Sequence, residues 1–243
     1  MTQHRLEGRT EKEVMWFQRR DVILAAAAWV GAGGLPMAVA QQRSNVMQLT
    51  GDALINGARL RSGQTIQTGD QLQTGPGSSL VFTMGNASFL VRQNTLMSVE
   101  RGSTLNTVSL LRLVSGAVVS VWRKGGDRAI TTPTLTAGIR GTGIYTEVAA
   151  QQDSRTYFCN CYGTVDLYAG GSQVTSKAQY HQSFWTQPQR APLVSAQAIN
   201  HSDEELEFLA QLMGQRTAWQ IAGRKGTKDG SGKLGDAPIN LPG

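Results

Sequence analysis

Cys159-Asn160-Cys161 and the histidines His4, His181 and His201 are the residues of this 243-residue chain with the most distinctive chemistry. In an extended segment, residues two apart project from one face, so Cys159 and Cys161 present their sulfurs together, with Tyr157 beside them. Paired thiolates can chelate one soft ion. With His181 and His201 they form a set of two sulfurs and two imidazoles, which suits zinc, and thiolates also suit copper(I). Other chemistries fit the same residues. A Cys159–Cys161 disulfide needs a bend, because bridged Cβ atoms lie about 3.8 Å apart and extended neighbours lie wider. Such a disulfide would be strained or redox-active, and a bridge between two chains or a pair of small buried side chains are the other readings.

Catalysis finds little support. No Gly-x-Ser-x-Gly elbow and no metalloprotease helix motif is present. Gly226–Lys233 imitates a phosphate loop, but Gly226 and Gly232 enclose five residues rather than four, and Leu234 stands where a Ser or Thr is needed. Arg140-Gly141-Thr142 is a candidate ligand contact, although a tight bend permitted by glycine explains it more simply. The expectation is a protein that is not an enzyme and has no cofactor. The alternative is a metal-binding or thiol-redox protein centred on Cys159 and Cys161, with zinc or copper as the ion.

These residues need elements to position them. From Leu49 to about Phe184 the chain alternates short apolar segments with glycine punctuation. Ser79–Thr83, Ser88–Val91, Thr107–Val114, Ala117–Trp122 and Ile144–Val148 are rich in Val, Leu, Ile, Phe and Thr and read as strands. The region is all-β. Gln64–Gly69 is echoed by Asp70–Gly75, so a glycine-rich β-sandwich and a solenoid-like start fit equally well. Gly163-Thr164 is read as a turn that folds the cysteine segment against Val165–Ala169 as a hairpin. Ser202-Asp203-Glu204-Glu205 is a capping-box pattern. It opens one short helix expected over Asp203–Gln215, with Leu206, Leu209, Leu212 and Met213 on one face and Arg216 in its last turn. The glycine- and lysine-rich stretch from residue 223 reads as a flexible tail.

The N-terminus reads as an export signal. Arg19-Arg20 precedes an apolar run rich in Ala and Gly, and Ala38-Val39-Ala40 offers a small-x-small cleavage site, so the mature chain is expected to start at Gln41. The arginine pair resembles a twin-arginine signal, which exports folded cargo and so permits metal loading before translocation. Met15 is an alternative start. The run is about 16 residues, short of the roughly 20 that a membrane span needs, so no span is expected in the mature form. The expected location is the periplasm or beyond. Of the formal charge of +6, +5 lies beyond residue 40. The Lys and Arg residues are scattered without a basic helix, which argues against nucleic acid as a partner.

Gly57-Ala58-Arg59-Leu60 and Gly63–Gly75 are followed by Asn86–Val91, Leu113–Val118, Thr131-Thr132-Pro133-Thr134-Leu135 and Gly138–Tyr145. This ordered series resembles a FecR-type domain and covers about residues 51–148. The resemblance implies a non-catalytic, signalling-related module that binds a protein, a glycan or a small ligand of the cell envelope. The expected organisation is a signal at 1–40, a linker at 41–50, a FecR-type β domain at 51–149, a hairpin extension carrying Cys-x-Cys at 150–200, a helix within 201–222 and a tail at 223–243.

Overall fold

The computed structural model describes residues 44–61, 63–102, 107–149, 154–186 and 193–236. Arg19, Arg20, Ala38 and Ala40 of the expected signal lie outside the described residues. The strands are β1 (Val46–Thr50), β2 (Ala53–Ile55), β3 (Ala58–Arg59), β4 (Gln71–Thr74), β5 (Ser79–Met84), β6 (Ala87–Val91), β7 (Leu96–Arg101), β8 (Val108–Trp122), β9 (Ala129–Thr131), β10 (Thr136–Ala149), β11 (Arg155–Ala169), β12 (Ser172–Ala178), β13 (Tyr180–Trp185), β14 (Val194–Ala196) and β15 (Ser231–Gly232). Two helices, α1 (Asp203–Leu212) and α2 (Ala218–Ala222), lie between β14 and β15. The fold is all-β, as the alternation and glycine punctuation predict.

The strands form one open mixed sheet whose main path runs β14-β13-β11-β10-β9-β8-β7-β4-β2-β3, with β5, β6, β12, β15 and β1 attached beside it. Pairing is antiparallel except between β8 and β9. The long strands change partners along their length. β8 pairs β7 through Val108–Ser115, then pairs β6 and β10 through Gly116–Trp122. β10 pairs β9 at Thr136–Gly138 and β8 at Gly143–Val148, with β11 alongside throughout. Ser115-Gly116, a turn signal in the sequence, therefore lies inside one strand. The β10–β11 ladder runs from Thr136↔Tyr168 to Ala149↔Arg155 and joins the residues on either side of 150 in one sheet.

Burial on both faces explains why the central strands read as nearly continuous apolar runs. One face buries Leu80, Phe82, Phe89, Leu111, Val118, Trp122, Ile144 and Phe158. The other buries Val81, Leu90, Val119, Val121, Tyr145, Tyr157, Cys159 and Cys161 under Leu206, Leu209, Ala210 and Trp219 of the helices. The alternation of β5 shows the division, with Leu80 and Phe82 on the first face and Val81 on the second.

The capping box forms as expected: Ser202 accepts from the Glu205 amide, and the Glu205 carboxylate accepts from the Ser202 amide. α1 stops before Gln215, because Met213 caps it and Gly214 turns to φ +64°. Arg216 consequently lies beyond the helix and donates to the Gln220 carbonyl. The sequence reading missed α2, a five-residue helix with its own capping box from Thr217 and Gln220. The expected tail is also corrected through residue 236. β15 pairs β13, and Lys225 and Lys228 reach buried Asp203. Among the described residues no helix is long and apolar enough to cross a membrane.

Phe89 stacks on Phe82 at 4.8 Å and meets Trp122 edge-on at 5.3 Å, with all three rings buried. Phe89→Ala should lower unfolding stability by about 3–5 kcal/mol, measured by denaturant titration. A loss well under 1 kcal/mol would contradict this core assignment.

Candidate metal centre

The site is built around two irregularities in adjacent strands. In the β10–β11 ladder, Gly143 pairs Tyr162 while Ile144 pairs Asn160, which leaves Cys161 as an extra residue in β11. Such a bulge re-aims side chains. Cys161 keeps the face that alternation gives it with Tyr157 and Cys159, and the extra residue brings Tyr162 onto that face as well. The sulfurs of Cys159 and Cys161 end 3.5 Å apart, and both cysteines are buried free thiols. Across the β11–β13 ladder, Cys159 pairs Ser183 and Asn160 pairs Gln182. His181 is next in line on β13, and its φ of +35° departs sharply from an extended strand. Non-glycine residues rarely adopt that region, and such conformations concentrate at functional sites.

His201 arrives from the segment leading into α1, directly after Asn200, itself at φ +60°. The four expected ligands thus converge: Cys159 Sγ, Cys161 Sγ and one nitrogen of each imidazole all lie within 4.8 Å of one another. The shorter separations are 3.6 Å from Cys159 Sγ to His181 Nδ1, 3.4 Å from Cys161 Sγ to His201 Nε2, and 3.0 Å between the two ring nitrogens. Cys159, Cys161 and His181 have no exposed surface, and His201 retains 5%.

The surroundings fix which nitrogen of each ring faces inward. His181 Nε2 lies 3.0 Å from Asp203 Oδ1, and a carboxylate can only accept, so this nitrogen carries a proton. His201 Nδ1 likewise donates to the Ile199 carbonyl at 2.6 Å. Both imidazoles therefore turn their remaining nitrogens toward the sulfurs. Aromatic rings hold them there: Tyr145 stacks on His201 at 4.7 Å, Trp219 stacks on His181 at 5.4 Å, and Tyr180 meets His181 edge-on.

Asp203 is the centre's negative support. It receives Lys225 at 2.7 Å, Lys228 at 2.9 Å and the Tyr180 hydroxyl at 3.0 Å in addition to His181. Burial works against its charge, but His181 and the two lysines outweigh that and hold the carboxyl far below its ordinary range. Burial pushes the Cys161 thiol up, and the neighbouring Cys159 adds to the effect. Cys159 moves the other way: burial opposes its ionisation, yet Cys161, His201 and His181 hold it well below the usual thiol value. His181 is raised, since Asp203 and Cys159 overcome the opposing effect of burial, whereas burial lowers His201.

Neither β strand alone makes this arrangement, and one element of the sequence reading needs correction. Gly163-Thr164 does not turn the chain. β11 continues through it to Ala169, and the hairpin turn is Gly170-Gly171. Gly163, at φ +101°, lies against the bulge at Arg140–Thr142, where a Cβ would fall 2.6 Å from the Gly141 carbonyl oxygen. The Arg140-Gly141-Thr142 motif marks the place where β10 changes partners. Arg140 pairs with Asp166, Gly141 has φ +88°, and the single hydroxyl proton of buried Thr142 is shared between the Asn160 amide oxygen and the Tyr162 carbonyl. Asn160, between the two cysteines, is held on the opposite face by Thr142 and Ser176. Sequence reasoning missed Asp203, Lys225, Lys228, Tyr145 and Trp219 as parts of the centre. For Asp203 the available signal was its place at the start of α1; the lysines lay in a stretch without periodicity.

No family model and no curated protein matches this chain. Two crystal structures of a candidate anti-sigma factor from Parabacteroides distasonis ATCC 8503 are similar in part. The 2.50 Å structure shares 14% identity at a TM-score of 0.45, over 61% of this chain and 66% of that one. The 1.65 Å structure shares 12% identity at a TM-score of 0.44, over 59% and 65%. The chain thus spans just under two thirds of the length of these neighbours.

Proposed function

We propose that this chain is a metal-binding protein that holds one zinc ion through Cys159, Cys161, His181 and His201 on an all-β scaffold. The observation that carries this reading is the 3.0 Å approach of two ring nitrogens whose opposite nitrogens are both committed as donors, with two sulfurs beside them. Two lone pairs at that distance repel unless a cation lies between them. A proton can serve one pair, whereas a metal ion serves all four donors.

The geometry favours a tetrahedral ion. Zinc–sulfur bonds of about 2.3 Å and zinc–nitrogen bonds of about 2.0–2.1 Å place tetrahedral donors ~3.8 Å apart for two sulfurs, ~3.5 Å for sulfur and nitrogen, and ~3.3 Å for two nitrogens. Four of the six separations, at 3.5, 3.4–3.6 and 3.0 Å, fall close to those edges, and all six lie within 4.8 Å, so the donors need to draw in slightly around an ion. A set of four protein donors, buried on every side, is the arrangement of a structural ion rather than of one that binds substrate. The carboxylate on His181 and the carbonyl on His201 orient the rings as metal-bound histidines require. Copper(I) is the competing ion, because it also prefers thiolates.

In this reading the arginine-pair signal exports the domain already folded and loaded. The FecR-type resemblance then gives it a regulatory role toward a protein or other envelope ligand in the periplasm. The metal supplies rigidity to that module, and no catalytic step is assigned to it.

Full-length protein purified without chelators should carry one zinc per chain by native mass spectrometry and elemental analysis. No thiol should react with a disulfide reagent in the folded protein, and two should react after unfolding with chelator. Cys159→Ser combined with Cys161→Ser should abolish uptake. An intact Cys159–Cys161 bridge with no bound metal would overturn the proposal, and copper in place of zinc would overturn the choice of ion. Asp203→Asn keeps the size of the side chain but removes its charge. It should weaken zinc affinity about 10–100-fold, as losing the partner of a ligating histidine does elsewhere, measured by competition with a chromogenic chelator.

A further inference from the structure

The four ligands do not belong to one structural unit. Cys159 and Cys161 lie on β11 and His181 on β13, within the sheet. His201, together with the carboxylate Asp203, lies in the segment that runs into α1 and continues through α2 to β15. This C-terminal cap lies over the apolar face formed by Val81, Leu90, Val119, Val121 and Tyr145. The centre therefore sits at the seam between sheet and cap.

Resting on the zinc reading above, we propose that the ion locks the cap onto the sheet, and that the cap in turn is the lid through which the ion enters and leaves. Three observations carry this. First, His201 is the sole ligand contributed by the cap, so loss of the ion breaks the one coordinate link across the seam. Second, His181, the sheet ligand that faces the cap, has a φ of +35°. Backbone held this way persists only where its surroundings over-determine it, and coordination of His181 is such a constraint. Third, the donors are closed off by Tyr145, Tyr180 and Trp219 around the imidazoles. Trp219 belongs to the cap, so an ion can reach buried donors when α2 and its neighbours move aside.

The cap has other fastenings, and they set the extent of the motion. The Arg92–Glu205 ion pair, Ser88 donating to the Leu209 carbonyl, and Arg123 donating to the Met213 carbonyl hold α1 to β6 and the end of β8. Asn200 donates to Glu147, and β15 pairs β13. Metal loss thus loosens the cap by raising the population of its open state, with β5, β6 and β8 keeping their pairing.

Hydrogen exchange followed by mass spectrometry on the full chain, zinc-loaded and chelated, tests this. With free zinc held about 100 times above its dissociation constant, opening that expels the ion becomes about 100-fold rarer. Amides of Ile199–Leu212 and Trp219–Gly223 should then exchange about 100-fold more slowly, while those of β5, β6 and the second half of β8 change little. Equal protection of the cap in both forms, with zinc binding verified by mass, would overturn the lock and leave the zinc site standing. Absence of zinc by mass would overturn both. His201→Gln separates the roles further. If it still binds zinc through the three sheet ligands and cap protection falls to the chelated level, the lock is supported; if it binds zinc with the cap fully protected, the lock is refuted. Zinc release should also be faster in Trp219→Ala, and an unchanged rate would overturn the lid.

Discussion

Two imidazole nitrogens and two sulfurs crowded into a dry pocket set an electrostatic condition that the surrounding structure has to meet. All four are electron-rich, and burial removes the water that would otherwise solvate them. Asp203 adds a full negative charge within hydrogen-bond reach of His181, so the pocket is more demanding still. A single buried charge is costly unless paired and hydrogen-bonded. Asp203 meets that requirement with Lys225, Lys228, Tyr180 and His181. Among the described residues the donors facing inward have no ion pair of their own, and the proposed metal ion would serve that side while the protein neutralises the outward-facing side.

The sheet meets a geometric condition to match. Strand periodicity puts Cys159 and Cys161 on one face, but two sulfurs 3.5 Å apart with an imidazole aimed at them require local departures from a regular ladder. The extra residue at Cys161 and the left-handed backbone of His181 break that regularity at one level of the sheet. Each irregularity is unfavourable by itself. Placed side by side they deliver sulfur and nitrogen to a common point, and the long β10–β11 ladder on either side of the bulge keeps the distortion local. The bend at Arg140–Thr142 belongs to the same region of the sheet, where β10 leaves β9 for β8 and Gly163 admits the Gly141 carbonyl.

Sequence legibility followed the range of the interactions involved. The shared face of Cys159 and Cys161 was readable because strand periodicity is local, and the capping box was readable because its residues are three apart. His181 and His201 were named by chemistry alone, as the remaining borderline ligands, since nothing in their local sequence says where they fold. Gly163 illustrates the opposite case. A glycine after an alternating run signals either a turn or a bulge, and the choice depended on β10 and β12 pairing on its two sides. β15 was missed because two residues carry no period, and Lys225 and Lys228 took on meaning only once Asp203 was buried beneath them. The merging of the expected segments around Ser115-Gly116 into β8 has the same origin: a glycine with positive φ that meets Thr95 can continue a strand by changing its partner.

The start of α1 draws these threads together. Acidic residues in a first helical turn are ordinarily explained by the helix dipole and by capping, and Glu205 does cap Ser202. Both Asp203 and Glu205 nevertheless are buried, which capping does not require. Glu205 also pairs with Arg92 at the end of β6, while Asp203 reaches His181 on β13. The first turn is thereby attached to two separated parts of the sheet by charged groups that cannot be exposed or exchanged independently. A helix held by apolar contacts alone can slide or rotate by a residue at modest cost. One pinned at both Asp203 and Glu205 cannot, because either shift would leave a buried carboxylate unpaired. That fixed position sets His201, two residues ahead of Asp203, beside the sulfurs, so the fourth candidate donor comes from the segment leading into a pinned helix rather than from the sheet.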